Sequence, residues 1–391
     1  MFPGRGIGMV AMYTARTSEI DEINEAVGEI KSQIDLGSLK KHSGGIIFCH
    51  NDYVLSGVVA ALCEELPFPV IGMTSMVAAD KNGYGLYDLM LTVLTSDEVS
   101  FEAGMTNAIT PDNYADEVDI LYKDMRSRVS EDPTMIFTFM PLNRDVSGYE
   151  VVAAMDKTCG GIPFWGSVTN NLDSNYETVQ TICNGQNLRD GIVMLFFNGP
   201  VTPTFIVSSL PERNISNNRA VITKSKGAVI YEVNNMPTEE FLKNVGLILT
   251  KENLITTPLM IYYGDAAEPV ALGVYTLFED GSVLTGGDMP EGTSIAVGTI
   301  DKEGIYESTK DGLRRILDIP NRNGAVLLPC VTRYIMLSPD LDGELKMVCD
   351  TLANGVPFVM GYSGGEICPM PGADGKLVNR FHNYTFCACA L

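Results

Sequence analysis

Val356-Pro-Phe-Val-Met-Gly-Tyr-Ser-Gly-Gly-Glu-Ile367 is an apolar run that stops at Gly361 and turns through hydroxyls and a carboxylate. A Pro/Gly/Asp loop follows, and a second apolar run, Phe381-His-Asn-Tyr-Thr-Phe-Cys-Ala-Cys-Ala-Leu391, answers it. Two earlier stretches share the arrangement of proline, short apolar strand, glycine and polar side chains. They are Pro69-Val-Ile-Gly-Met-Thr-Ser75 and Pro163-Phe-Trp-Gly-Ser-Val-Thr-Asn-Asn171. Each of the three follows a helical segment, itself preceded by a hydrophobic strand at Gly45 to Cys49, Met135 to Met140 or Ala325 to Leu328. This strand–helix–strand–turn unit predicts an α/β layered protein whose three polar turns converge.

Working outward, Ser18 to Asp21 has the look of a capping box for a helix reaching Ile34. Leu55 to Leu66, Pro111 to Val129 and Tyr149 to Thr158 read as further helices. The N-terminal sheet is expected to be largely parallel. A polar Pro/Asn/Ser stretch, Pro211 to Asn218, marks a boundary, giving domains 1–212 and 213–391. Beyond it, Ala220 to Val233 reads as two strands about a Lys-Gly turn, and Glu279-Asp-Gly281 as a hairpin turn. The C-terminal region is therefore expected to be mixed α+β, with a mixed sheet.

The 391 residues carry 49 acidic and 27 basic side chains, a formal charge of −22. Such a field repels phosphate backbones and anionic lipid, which argues against nucleic-acid and lipid-surface binding. No run approaches the ~20 apolar residues that a membrane-spanning helix needs, which argues against membrane insertion. Nine cysteines, none in a C-x-x-C pair and most within apolar runs, read as free thiols in a reducing, cytoplasmic setting. With three histidines, metal ligation has little to draw on, and no cofactor motif is present.

Several of these stretches together resemble the FIST family (F-box and intracellular signal transduction). Gly361-Tyr-Ser-Gly-Gly-Glu-Ile-Cys-Pro369 with Phe381-His-Asn-Tyr-Thr-Phe386 is similar to its C-terminal signature. Val221 to Val233 and Cys330-Val-Thr-Arg333 resemble other parts of its C region, and Val70 to Ser75 and Phe164 to Ser167 the glycine turns of its N region. The resemblance implies a sensory module for a small polar ligand, amino acids among the candidates. Family members are often fused to output domains. With no output domain expected after Leu391, the signal would pass to a histidine kinase, chemoreceptor or cyclic-dinucleotide protein in trans.

Candidate ligand residues follow from the turns. Arg333 and Arg144 are placed to clamp an anionic group, and Glu366 to hold an ammonium. The plainer reading of Arg333 and Glu366 is a mutual ion pair. Thr74, Ser75, Ser167, Asn170, Asn171, Tyr362, His382 and Asn383 offer neutral hydrogen-bonding groups. Turns also favour such residues for local backbone bonding. Cys330 completes the set, as a small buried wall of the site. The competing class is a thiol-dependent hydrolase or transferase with Cys330 as nucleophile and His382 as base.

Overall fold

The computed structural model describes residues 10–391 except 144, 172–176, 264–267, 321, 354 and 373. The first unit runs β1 (Ala11–Thr17), α1 (Ile23–Gln33), β2 (His42–Cys49), α2 (Asn51–Leu55), α3 (Val58–Glu65), β3 (Val70–Thr74), β4 (Ala78–Asp80), β5 (Gly83–Gly85) and β6 (Leu89–Ser96). The second repeats it as β7 (Ser100–Met105), α4 (Tyr114–Ser127), β8 (Met135–Met140), α5 (Gly148–Cys159), β9 (Phe164–Val168), β10 (Thr181–Cys183), β11 (Gln186–Leu188) and β12 (Val193–Asn198).

The third unit opens with β13 (Thr204–Ser208) and is then interrupted. The interruption comprises β14 (Ala220–Lys226), β15 (Val229–Val233), β16 (Met236–Pro237), α6 (Thr238–Asn244), β17 (Pro258–Tyr262), β18 (Val270–Leu277), β19 (Val283–Thr285) and β20 (Ser294–Val297). It resumes as α7 (Lys302–Leu317), β21 (Ala325–Pro329), α8 (Val331–Met336), α9 (Gly343–Leu352), β22 (Phe358–Gly361), β23 (Glu366–Pro371), β24 (Leu377–His382) and β25 (Phe386–Ala390).

Three six-stranded sheets result, ordered β1-β6-β2-β3-β10-β11, β7-β12-β8-β9-β23-β24 and β13-β25-β21-β22-β4-β5. Each has the same plan. One parallel pair, β2–β3, β8–β9 or β21–β22, lies inside, and the other pairings are antiparallel. Parallel pairing is thus confined to the strand–helix–strand unit, where the helical crossover demands it. After the second parallel strand the chain leaves its own sheet and forms a hairpin on a neighbour's: β4–β5 beside β22, β10–β11 beside β3, β23–β24 beside β9. The three units exchange hairpins in a cycle, giving the molecule a pseudo-threefold layout.

The inserted segment is a barrel, β14-β20-β17-β18-β19-β15, closed by the β14–β15 pair. Leu259 and Ile261 alternate with Met260 along β17, so Ile222, Leu259, Ile261, Leu272 and Ile295 fill one core. Met260, Ala271 and Ala296 pack instead against Leu210 and Tyr384 of the three-sheet body. The expected division at 212/213 falls between β13 and this barrel. At the other end of the chain, α1 begins at Ile23 with no side-chain cap, so Ser18 does not open it as the capping-box pattern predicts. The Thr17 hydroxyl accepts instead from the Glu19 amide, a local turn that competes with the cap.

Candidate functional site

All three polar turns sit at the C-terminal ends of the parallel pairs, and an equivalent backbone bond ties each one down. Ser75 donates to Cys49 O at 2.9 Å, Thr169 to Met140 O at 2.9 Å and Ser363 to Pro329 O at 2.8 Å. The turns meet as the sequence predicts. Ser75 Oγ donates to Tyr362 O at 3.2 Å, and Ser167 and Ser363 share a hydroxyl bond at 2.8 Å. Asn170 Nδ2 also donates to Tyr362 O, while its Oδ1 accepts from the Met76 amide at 3.1 Å. Thr74 and Asn171 turn the other way, toward Gln180 and Thr178. Arg144 lies outside the described residues.

Pseudo-symmetry shows where the chemistry is concentrated. Ala78, Thr181 and Glu366 oppose equivalent positions of the second parallel strands, namely Gly361, Met73 and Ser167. Their own hairpin partners are Gly85, Leu188 and His382. Two of the three pairs are therefore Ala/Gly and Thr/Leu, without ionisable groups. The third is Glu/His.

Both members of that pair are fully buried. Glu366 Oε2 accepts from Thr385 Oγ1 at 2.8 Å and from the Thr385 amide at 3.2 Å. Burial pushes the carboxyl up to about 8, against those bonds. At neutral pH it is mainly protonated, and the proton belongs on Oε1, the oxygen without a hydrogen-bond partner. His382 Nε2 lies 2.9 Å from Cys368 O and must donate to it, which leaves Nδ1 as a bare acceptor without a partner. Burial lowers this imidazole to about 4. Among the described residues the site thus holds one buried donor and one buried acceptor without a geometric hydrogen-bond partner, the Cys330 thiol lying against the carboxyl. Unpaired buried polar atoms are costly and call for an explanation.

The remaining candidates have other employment. Arg333 directs every N–H inward: to Glu344 Oε1 at 2.7 and 3.0 Å, Ser308 Oγ at 2.9 Å, Thr309 Oγ1 at 2.7 Å, Ile305 O at 3.0 Å and Tyr384 O at 3.2 Å. It has no donor left to clamp a ligand, and its ion-pair partner is Glu344, not Glu366. Tyr362 donates to the other Glu344 oxygen at 3.0 Å. Asn383 Oδ1 accepts from the Gly273 amide at 2.9 Å and from Tyr275 at 3.2 Å, so it docks the barrel. Cys330 stands at the N-terminal end of α8 without a side-chain cap bond, and burial, with Glu366 nearby, pushes its thiol well up. Among the described residues no hydrogen bond joins Cys330 to His382. Nor do they hold a metal-type cluster or a helix long and apolar enough to cross a membrane.

Glu344 and Thr385 went unnoticed in the sequence. Glu344 shares the buried face of α9 with Val348 and Leu352, a spacing of four that could have revealed it. Two clefts also escape sequence reading. One, of about 540 Å³, lies between the barrel and α7, with Arg219, Tyr262, Asp311 and Arg315 in its wall. The other, of about 330 Å³, is lined by Tyr263, Val378 and Arg380, and both clefts share Glu268 and Met370.

Residues 44–236 match the FIST N domain and residues 239–369 the FIST C domain. No curated protein matches the chain. Among solved structures, a cyanuric acid hydrolase from A. caulinodans is similar over 48% of this chain and 71% of its own, at 12% identity and a TM-score of 0.26.

Proposed function

The chain belongs to the FIST family, whose domains serve sensing and signal transduction, and from that premise we propose that it is a small-ligand sensor reading its ligand at Glu366 and His382. The carrying observation is the unmatched donor–acceptor pair, fully buried at the one pseudo-symmetric position with ionisable groups. A polar molecule that accepts from Glu366 Oε1 and donates to His382 Nδ1 satisfies both atoms at once. Amino acids and related small polar molecules have groups of that kind. Ser75, Ser167, Asn170 and Tyr362 hold the floor of the site rigid, and Arg333 positions it through Glu344 and Tyr362. The signal passes in trans to a histidine kinase, chemoreceptor or cyclic-dinucleotide protein in the cytoplasm. The thiol-enzyme reading draws less support, since the Cys330 thiol is buried and His382 is turned to Cys368 O.

The test is a thermal-shift screen of amino acids, small carboxylates and nucleotides. A ligand at one hundred times its dissociation constant should stabilise the wild type by about 2.7 kcal/mol. That gain should vanish in Glu366→Met, which has no hydrogen to donate, whereas Glu366→Gln keeps an N–H where the acid carries its proton. Silence across the panel, or a gain that survives in Glu366→Met, counts against the proposal.

A further inference from the structure

Arginines in this chain are mostly engaged by carboxylates or carbonyls. Among those described, Arg219 and Arg380 have neither kind of partner. Each guanidinium lies over a tyrosine ring, Arg219 at 3.8 Å from the centroid of Tyr262 and Arg380 at 4.2 Å from that of Tyr263. In a chain of formal charge −22, an arginine without a carboxylate is unexpected. Stacking occupies the face of a guanidinium and leaves its N–H edge for another group.

Arg380 has a second distinction. Along β23–β24, Met370 opposes Val378, Cys368 opposes Arg380, and Glu366 opposes His382. Directly opposed residues share a face and alternate residues repeat it, so these three pairs lie on one face of the hairpin. The outermost pair and Arg380 line the 330 Å³ cleft. The innermost pair holds the unmatched donor and acceptor. Each step along the face is about 7 Å, so a molecule anchored at Arg380 needs only a few atoms to reach them.

We propose that this face is the ligand's entry and that Arg380 anchors a carboxylate there, the far end of the ligand bonding Glu366 and His382. This inference rests on the sensor reading above. A monocarboxylate suits the site better than phosphate, because Glu268 and Asp374 also line the cleft and repel a second negative charge. The ligand class is therefore a small organic carboxylate with a hydroxyl or amide at its other end.

Calorimetric titration at fixed ionic strength with glycolate, 3-hydroxybutyrate, succinate and inorganic phosphate tests it, alongside the neutral diol 1,3-butanediol. At least one hydroxycarboxylate should bind the wild type, and Arg380→Gln should weaken it by about tenfold or more. Arg380→Lys, which keeps the charge but loses the fork, should weaken it less, and Arg219→Gln should leave it unchanged. Affinity retained in Arg380→Gln but lost in Glu366→Met overturns the anchor while sparing the sensor. Binding of the diol alone, or tighter binding of phosphate, overturns the carboxylate class. If none of the probes binds and the broader screen is also silent, both readings fall. Should Arg380→Gln not fold, an unchanged affinity in Arg380→Lys overturns the anchor by itself.

Discussion

Burial acts on Glu366 and His382 in opposite senses, and the two should be separable by pH. The Glu366 carboxyl rises from 4.5 to about 8 on folding, so unfolding releases its proton between those values. Its stabilising contribution is full below pH 4.5 and is lost as pH rises through 8, at most about 5 kcal/mol by linkage. His382 falls from 6.5 to about 4, so its contribution is full above pH 6.5 and is lost as pH falls through 4. Urea unfolding should therefore show a stability that is flat from about pH 4.5 to 6.5, where the two oppose, and declines from there toward pH 8. Glu366→Gln should abolish the decline, whereas a decline that persists in it would place the titrating group elsewhere. These two residues were legible because charge and imidazole interrupt apolar strands. The engagement of Arg333 was not, since its partners come from α7, α9 and the Tyr384 carbonyl, and spacing says nothing about which of them meet.

Among elements, the parallel pairs are where glycine is required by space. A Cβ on Gly166 would stand 1.7 Å from Thr138 O, and one on Gly72 would stand 2.6 Å from Ile47 O, each on the partner strand. The third unit places Met360 at this position, so the close approach belongs to two units only. Gly166→Ala should cost about 3 kcal/mol or more, the upper end for an overpacked core. Ser147→Ala, which removes the capping-box residue of α5, should cost about 1 kcal/mol. Urea midpoints of the two variants check the ranking, and equal midpoints would contradict it. Strand–helix–strand units were visible from apolar runs and their Gly/Pro stops. The hairpin exchange was not visible, because β4, β10 and β23 are short strands whose partners lie far away in sequence and leave no local mark.

At the scale of the molecule, no sheet of the three-unit body belongs to one unit alone. Trp165 fluorescence, reporting on β9, and far-ultraviolet circular dichroism, reporting on every element, should therefore trace one coincident urea transition. Two separated transitions would mean that the sheets come apart independently. The exchange also has a bearing on how the protein is made. Chains leave the ribosome N-terminus first at about 5–20 residues per second. β4 is synthesised early, yet it pairs with Phe358–Gly361, and β9 pairs with a strand that begins at Glu366. Until that late stretch has been translated, the nascent chain carries two sheet edges that nothing yet covers. Exposed edges invite pairing with other chains. The interval between translating β4 and translating β22 is the period in which those edges stand open to such pairing.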